Sequence, residues 1–345
     1  MRVRGFISLK LLKFSTLKNI SLSLLLLISA LLFTQCRSEP KVIPPPPIKN
    51  VVVPKFEKDS AYQYIARQVA FGPRVPNTTA HQAAKNYLAN TLRSFGATVT
   101  EQDFTATAYT GTKLNATNII ASYNPDHPRR VVLAAHWDSR HVADYDPDKS
   151  RQNQPILGAD DGGSGVGILM EIARAIQKNP IDLGVDIVLF DAEDYGESQG
   201  DDITTWCLGS QYWSRNPHVN GYRADFGILL DMVGSKGARF TKEEVSRAFA
   251  PQILDKVWKL SQNMGYGNYF VNDNTRQLVD DHLFVNKIAG IPMIDIINRP
   301  VDTETGFGHY WHTHADDMSV IDKQTLRAVG QTLLAVIYQK SAGRF

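Results

Sequence analysis

Apolar residues recur along this chain in two rhythms. Short apolar runs at 130–135, 186–190, 225–230 and 291–297 read as buried strands. Around them, apolar positions three and four apart predict helices. Tyr62, Ile65, Ala66 and Val69 mark one over 59–70, broken by Phe71-Gly72-Pro73, and Ala83, Tyr87, Leu88, Leu92 and Phe95 mark another over 79–95. Further helical patterns run over 166–176, 281–288 and 323–339, the last with its stripe at Leu326, Val329, Leu333, Leu334 and Ile337. Two alternating stretches, 99–108 and 117–123, add strands. Strands alternating with helices predict an α/β fold: a single domain with a central mixed, mostly parallel sheet covered by helices on both faces. Ligands of such sheets gather outside the carboxyl ends of the strands.

Chemistry-bearing residues stand at those ends. The 130–135 run delivers His136 and Asp138, 186–190 runs into Asp191-Ala192-Glu193-Asp194, and 225–230 into Asp231. The 291–297 run comes shortly before Tyr310-Trp311-His312-Thr313-His314, and a glycine-rich turn, Gly158-Ala159-Asp160-Asp161-Gly162-Gly163-Ser164-Gly165, packs two more carboxylates ahead of a helix. Taken singly, each has an ordinary explanation: a hydrogen-bonded histidine, an acid capping a helix. Together they point to a metal, because an unpartnered core carboxylate costs on the order of several kcal/mol. Imidazole with clustered carboxylates suits zinc better than calcium or magnesium, with Asp138 orienting the His136 ring. His309 and His141 read as loop histidines, and Asp191 and Glu197 as helix caps or solvated charges.

A chain of 345 residues with 43% hydrophobic composition can bury an ordinary core, and a formal charge of +2 gives no reason to expect nucleic acid. The start stands apart. Arg2, Arg4, Lys10, Lys13 and Lys18 precede the apolar run 22–33, which reads as a secretory leader. Its end, Leu32-Phe33-Thr34-Gln35-Cys36, resembles a bacterial lipoprotein signal, in which the cysteine is lipidated. Phe33, Thr34 and Gln35 depart from the small residues usual there, so a plain signal peptide or an uncleaved anchor stays open. The organisation expected is a signal peptide over 1–36, a Pro-rich linker over 37–55 and a catalytic domain over 56–345. Such a protein is exported and lipid-anchored at the periplasmic or surface face of a bacterial membrane. With lipid on Cys36, Cys207 is left without a disulfide partner.

The motifs HWD, GADDGGSG, FDAED, LLDMVG and WHTHADD, in this order, resemble the zinc aminopeptidase superfamily with its co-catalytic metal site. The resemblance implies metal ligation by His136, Asp161, Asp194, Asp231 and His312, with Asp161 rather than Asp160 bridging two ions. It also implies a proton-shuttling role for Glu193, and its His-Thr-x-x-Asp pattern picks His312 and leaves His314 a bystander.

One branch of that superfamily, the animal-type glutaminyl cyclases, is resembled more closely. The matching pieces are Phe71-Gly72-Pro73-Arg74, Leu208-Gly209-Ser210, Asp280-Asp281-His282, Ile291-Pro292 and Trp311-His312-Thr313. Likeness to this branch implies conversion of an N-terminal glutamine of a peptide or protein to pyroglutamate, with release of ammonia. One zinc ion would sit on Asp161, Asp194 and His312, with His136 and Asp231 as ligands of a second. Asp231 and Asp280 would hold the leaving amide, Trp311 would wall the pocket, and Asp295 and Trp206 would line it. Three departures stand out: Asp295 where the animal enzymes carry histidine, Gln199 where they carry a pocket tryptophan that Trp206 would replace, and Asp194 in place of glutamate. A zinc aminopeptidase and a binding lipoprotein without activity remain the alternatives.

Overall fold

The structure, a computed structural model, describes residues 51–345. The leader, Cys36 and the tetraproline of the linker lie outside the described residues. In chain order the elements are α1 (Lys58–Val69), α2 (Thr79–Ser94), β1 (Thr98–Thr107), β2 (Lys113–Tyr123), β3 (Arg130–His136), α3 (Gly163–Lys178), β4 (Gly184–Phe190) and α4 (Leu208–Arg215). They continue as β5 (Phe226–Asp231), β6 (Phe240–Lys242), α5 (Glu244–Phe249), α6 (Pro251–Ser261), β7 (Phe270–Asn274), α7 (Asp281–Phe284), β8 (Met293–Ile297) and α8 (Lys323–Ser341).

Six strands form one sheet in the order β1-β2-β4-β3-β5-β8. β4, β3, β5 and β8 run parallel to one another, and β2, antiparallel to β4, and β1, antiparallel to β2, extend the sheet at one edge. All four runs that lead to site residues therefore end along the same edge. Both faces are buried, which is why the runs are continuously apolar instead of alternating. Val131, Leu133 and Ala135 pack with Ile65 of α1, Leu88 of α2, Ile168 of α3 and Val329 of α8. Val132 and Ala134 point the other way, towards Trp213 of α4 and Val285.

Two details differ from the sequence expectation. The helix expected over 281–288 is a single α turn, α7, continued by a π turn over Val285–Ala289 and closed by Gly290 in the left-handed region. The small parallel pair β6–β7 and the helices α5 and α6 were not anticipated: β6, β7 and α5 are too short to repeat a pattern, whereas α6 carries one at Leu254, Val257, Trp258 and Ser261 that the sequence expectation omits. Among the described residues no helix is long and apolar enough to cross a membrane.

Candidate active site

His136, the last residue of β3, places Nε2 3.0 Å from Asp161 Oδ1 and 3.2 Å from Asp231 Oδ1 at the end of β5. His312 Nε2 lies 3.2 Å from Asp194 Oδ1 and 3.8 Å from Asp161 Oδ2. Two buried groups result, His136/Asp161/Asp231 and Asp161/Asp194/His312, each with its ligand atoms within 4.8 Å of one another. Asp161 is shared by both.

Backbone geometry aims these side chains. Gly162 has φ +80°, and a Cβ there would stand 2.6 Å from the Asp138 carbonyl oxygen and 2.9 Å from His136 Cε1. Only glycine fits behind Asp161. Asp316 accepts the backbone N–H groups of Asp160 and Asp161 at 2.8 and 3.1 Å, pinning the turn. Asp160 faces away: it takes the Gly234 N–H at 2.6 Å and the Tyr310 hydroxyl, so Asp161 alone of the pair joins the site. Asp138 has two tasks. Its Oδ1 lies 3.5 Å from His136 Nδ1, and its carboxylate accepts the N–H groups of Glu193 and Asp194 at 3.1 and 3.2 Å. Four non-glycine residues around the site, Ala192, Cys207, Met232 and His312, hold positive φ of 45–56°. Such conformations persist only where surrounding contacts enforce them.

Electrostatics call for a cation. Burial raises the proton affinity of Asp161 and pushes Asp231 up to about 6, where neighbouring acids add to it. Burial pushes Asp194 the same way, yet His312 and Arg140 outweigh it and hold that carboxyl low. Asp194 Oδ2 is buried with no hydrogen-bond partner. An ionised, half-satisfied carboxylate beside the His312 imidazole and the Asp161 carboxylate is a donor set that zinc completes.

Glu193 lies beside this set. Its Oε2 is 3.8 Å from His136 Nδ1, and Oε1 accepts the Cys207 thiol at 3.2 Å. Burial holds its proton affinity well above the ordinary carboxylate range, with Asp194, Asp281 and Asp280 adding to the effect against His136. Asp280 stands in one 4.8 Å cluster with Glu193 and Cys207, and burial pushes its pKa up to about 6.

A cavity of about 320 Å³ opens on these residues, its walls including Trp206, Trp311, Phe307 and Tyr145. Trp311 stacks on the His312 ring at 3.6 Å and on Phe307 at 4.4 Å. Trp206 lies parallel to His312 at 6.1 Å, and the Arg140 guanidinium covers its ring at 4.8 Å. A wider polar groove between α2 and β2 holds none of these groups.

Two expectations are corrected. Asp191 is neither a helix cap nor solvated: it is fully buried, pairs with His81 Nε2 at 2.9 Å and accepts the N–H groups of Thr117 and Ala192 at 2.6 and 2.8 Å. The turn leading from β4 into Glu193 closes over it, so it supports that turn from below. Asp295 does not line the pocket. It lies one pleat deeper than Ile297 on β8, fully buried, and its backbone N–H donates to Ser246 Oγ at 2.9 Å. His314 pairs with Asp146 at 2.7 Å, outside the ligand set, and His309 sits in an exposed turn. His141 belongs to a loop but stacks on Tyr195 at 3.8 Å, and burial lowers its pKa to about 4.

Sequence reasoning missed Arg140 and Asp144. Asp144 Oδ1 lies 3.3 Å from His312 Nδ1, and Arg140 bridges Asp144 at 2.8 Å and Asp194 Oδ1 at 3.2 Å. They lie behind His312 and Asp194, the histidine and carboxylate of one candidate metal group. Nothing in the loop beyond its charge marks them. Asp144→Asn is expected to weaken zinc affinity by about tenfold to a hundredfold, measured by competition with a chromophoric chelator. An affinity within twofold of the parent would remove Asp144 from that role.

The sequence profile of peptidase family M28 matches residues 118–337. The chain belongs to peptidase family M28. Among its relatives in that family is the glutaminyl-peptide cyclotransferase of Drosophila melanogaster, 27% identical over 277 residues and 73% of each chain. Glutaminyl cyclase of Bacteroides thetaiotaomicron, solved with N-acetylhistamine, is 55% identical with a TM-score of 0.81 over 83% of this chain and 99% of that one. A Zn-dependent exopeptidase from Parabacteroides distasonis is 53% identical with a TM-score of 0.82, again over 83% and 99%. Exopeptidase and cyclase names occur at similar likeness within this one superfamily, and the cyclase relatives and structures support glutaminyl-peptide cyclotransferase activity.

Proposed function

We propose that this M28 chain is a glutaminyl-peptide cyclotransferase, converting an N-terminal glutamine to pyroglutamate with release of ammonia. The observation that carries it is the pairing of Glu193 with Asp280 in an aromatic-walled cavity sized for one residue. An aromatic wall against the metal histidine disfavours water as the nucleophile, and leaves the substrate's own amine to attack. Likeness to the Bacteroides thetaiotaomicron cyclase supports the same assignment.

Asp161, Asp194 and His312 would hold a zinc ion, with His136 and Asp231 completing a second position around Asp161. Bound there, zinc supplies a Lewis acid for the γ-carboxamide carbonyl. Glu193 accepts a proton from the α-amine as its nitrogen bonds to the carboxamide carbonyl carbon (Cδ), then gives that proton to the side-chain amide nitrogen as its bond to Cδ breaks and it leaves as ammonia. Asp231 and Asp280, raised towards neutrality, accept or donate hydrogen bonds at the leaving amide. Trp311 packs against the substrate side chain. An exported, lipid-anchored form acting on proteins whose mature N-terminus is glutamine fits the leader and Cys36.

Incubating the purified protein with Gln-Ala-Ala and Leu-Ala-Ala tests the assignment by mass spectrometry and ammonia release. Ammonia loss from the first with the second intact is the expected result. Release of leucine would make the same residues an aminopeptidase, the reading favoured by likeness to the exopeptidase; neither product would leave a binding lipoprotein.

A further inference from the structure

One cation in the pocket has no part in this chemistry. Arg299, two residues past β8, is the only lysine or arginine among the lining residues, which include Asp161, Glu193, Asp194, Asp231 and Asp280. Backbone contacts fix its place: its N–H donates to the Arg239 carbonyl at 3.0 Å, and Asn298 beside it accepts the Arg239 N–H at 2.9 Å. The following turn then folds back over the side chain. The Phe307 ring lies 4.3 Å from the guanidinium carbon, and Gly306, at φ +73°, comes so close that a Cβ there would meet the guanidinium at 2.9 Å.

Within this clamp the guanidinium has no hydrogen-bonding partner among the described residues, and Nε is buried. Its protein counter-charges, Asp295 and Glu243, are felt only at a distance, and neither lines the pocket. A pre-set planar fork with five unused donors matches a carboxylate. Substrate geometry says where that carboxylate comes from. The cavity of about 320 Å³ takes the glutamine side chain and its amine, which belong with the acids, so the next residue stays within reach of the wall. The pocket acids repel an acidic side chain, but His136 and His312 face three of them, whereas nothing within hydrogen-bond distance answers Arg299.

We propose that Arg299 selects substrates bearing an acidic residue directly after the N-terminal glutamine. The inference rests on the cyclase assignment of this pocket. The experiment measures kcat/KM by ammonia release for Gln-Glu-Ala-Ala, Gln-Ala-Ala-Ala and Gln-Lys-Ala-Ala with the parent protein, R299Q and R299K at low ionic strength. The parent is expected to prefer the glutamate peptide over the lysine peptide by about tenfold. R299Q should bring that ratio close to one, R299K should keep part of it because one point charge remains, and salt should shrink it. A ratio near one in the parent, or one unchanged in R299Q while all three peptides slow alike, overturns the proposal; the latter would make Arg299 a counter-ion to Asp295 and Glu243. Failure of the parent to cyclise even Gln-Ala-Ala-Ala would instead defeat the cyclase assignment, and the selectivity with it.

Discussion

Glu193→Gln is expected to lower kcat for glutamine cyclisation by about a thousandfold while the protein folds and retains its metal. The side chain keeps its shape and its contact with the Cys207 thiol, and loses only the ability to carry a proton. Melting should move in the opposite direction from activity. Burial raises the folded-state proton affinity of Glu193 above that of the unfolded chain. Its ionisation therefore costs stability that is absent at low pH and appears as pH rises above the unfolded-state value. A neutral amide escapes that cost, so metal-free E193Q should melt no lower than the metal-free parent at pH near 8. Stopped assays, metal analysis and calorimetry on one preparation check all three points. Activity within tenfold of the parent would take Glu193 out of the proton path.

Asp161→Asn is expected to abolish zinc retention and activity together, weakening metal binding by more than about a hundredfold. Its two carboxylate oxygens face different histidines, 3.0 Å from His136 and 3.8 Å from His312, so one substitution damages both donor groups. Comparison with His136→Gln then counts the ions. If a single zinc sits on Asp161, Asp194 and His312, the His136 variant keeps the parent's zinc-to-protein ratio. A halved ratio would show a second ion. Full zinc content and turnover in Asp161→Asn would remove it from the metal centre.

The parallel part of the sheet was legible because its strands are buried on both faces and so carry apolar runs, three of which, ending at 135, 190 and 230, are closed by His136, Asp191 and Asp231 where the chain leaves the core. The ligand acids and histidines were legible for the same reason: Asp194, Asp231 and His136 stand at or just past those closures. Asp144 and Arg140 were not, since their importance comes from contacts across more than fifty residues, to Asp194, and farther to His312. Cys207 and Asp191 were hidden in another way. A cysteine and an aspartate near a strand end read like many others, and only the folded turn shows that the one touches the proton carrier and the other sits fully enclosed beneath it. Asp295 was placed on the right strand at the wrong depth, because a period of two gives the side of a sheet and not the distance from its edge.

The left-handed backbone at Ala192, Cys207, Met232 and His312 bears on protein engineering. Each departs from the conformation an L-residue prefers by roughly 1 kcal/mol or more, and three of them adjoin or contain a residue of the reaction: Ala192 precedes Glu193, Met232 follows Asp231, and His312 is itself a ligand candidate. Copying only the polar side chains into a different α/β scaffold would leave them pointing elsewhere, since their directions are set by these turns. A transplant would have to carry the four turns with it. In a mutational scan, β-branched substitutions at Ala192 and Met232 should be selected against as strongly as changes at many polar positions.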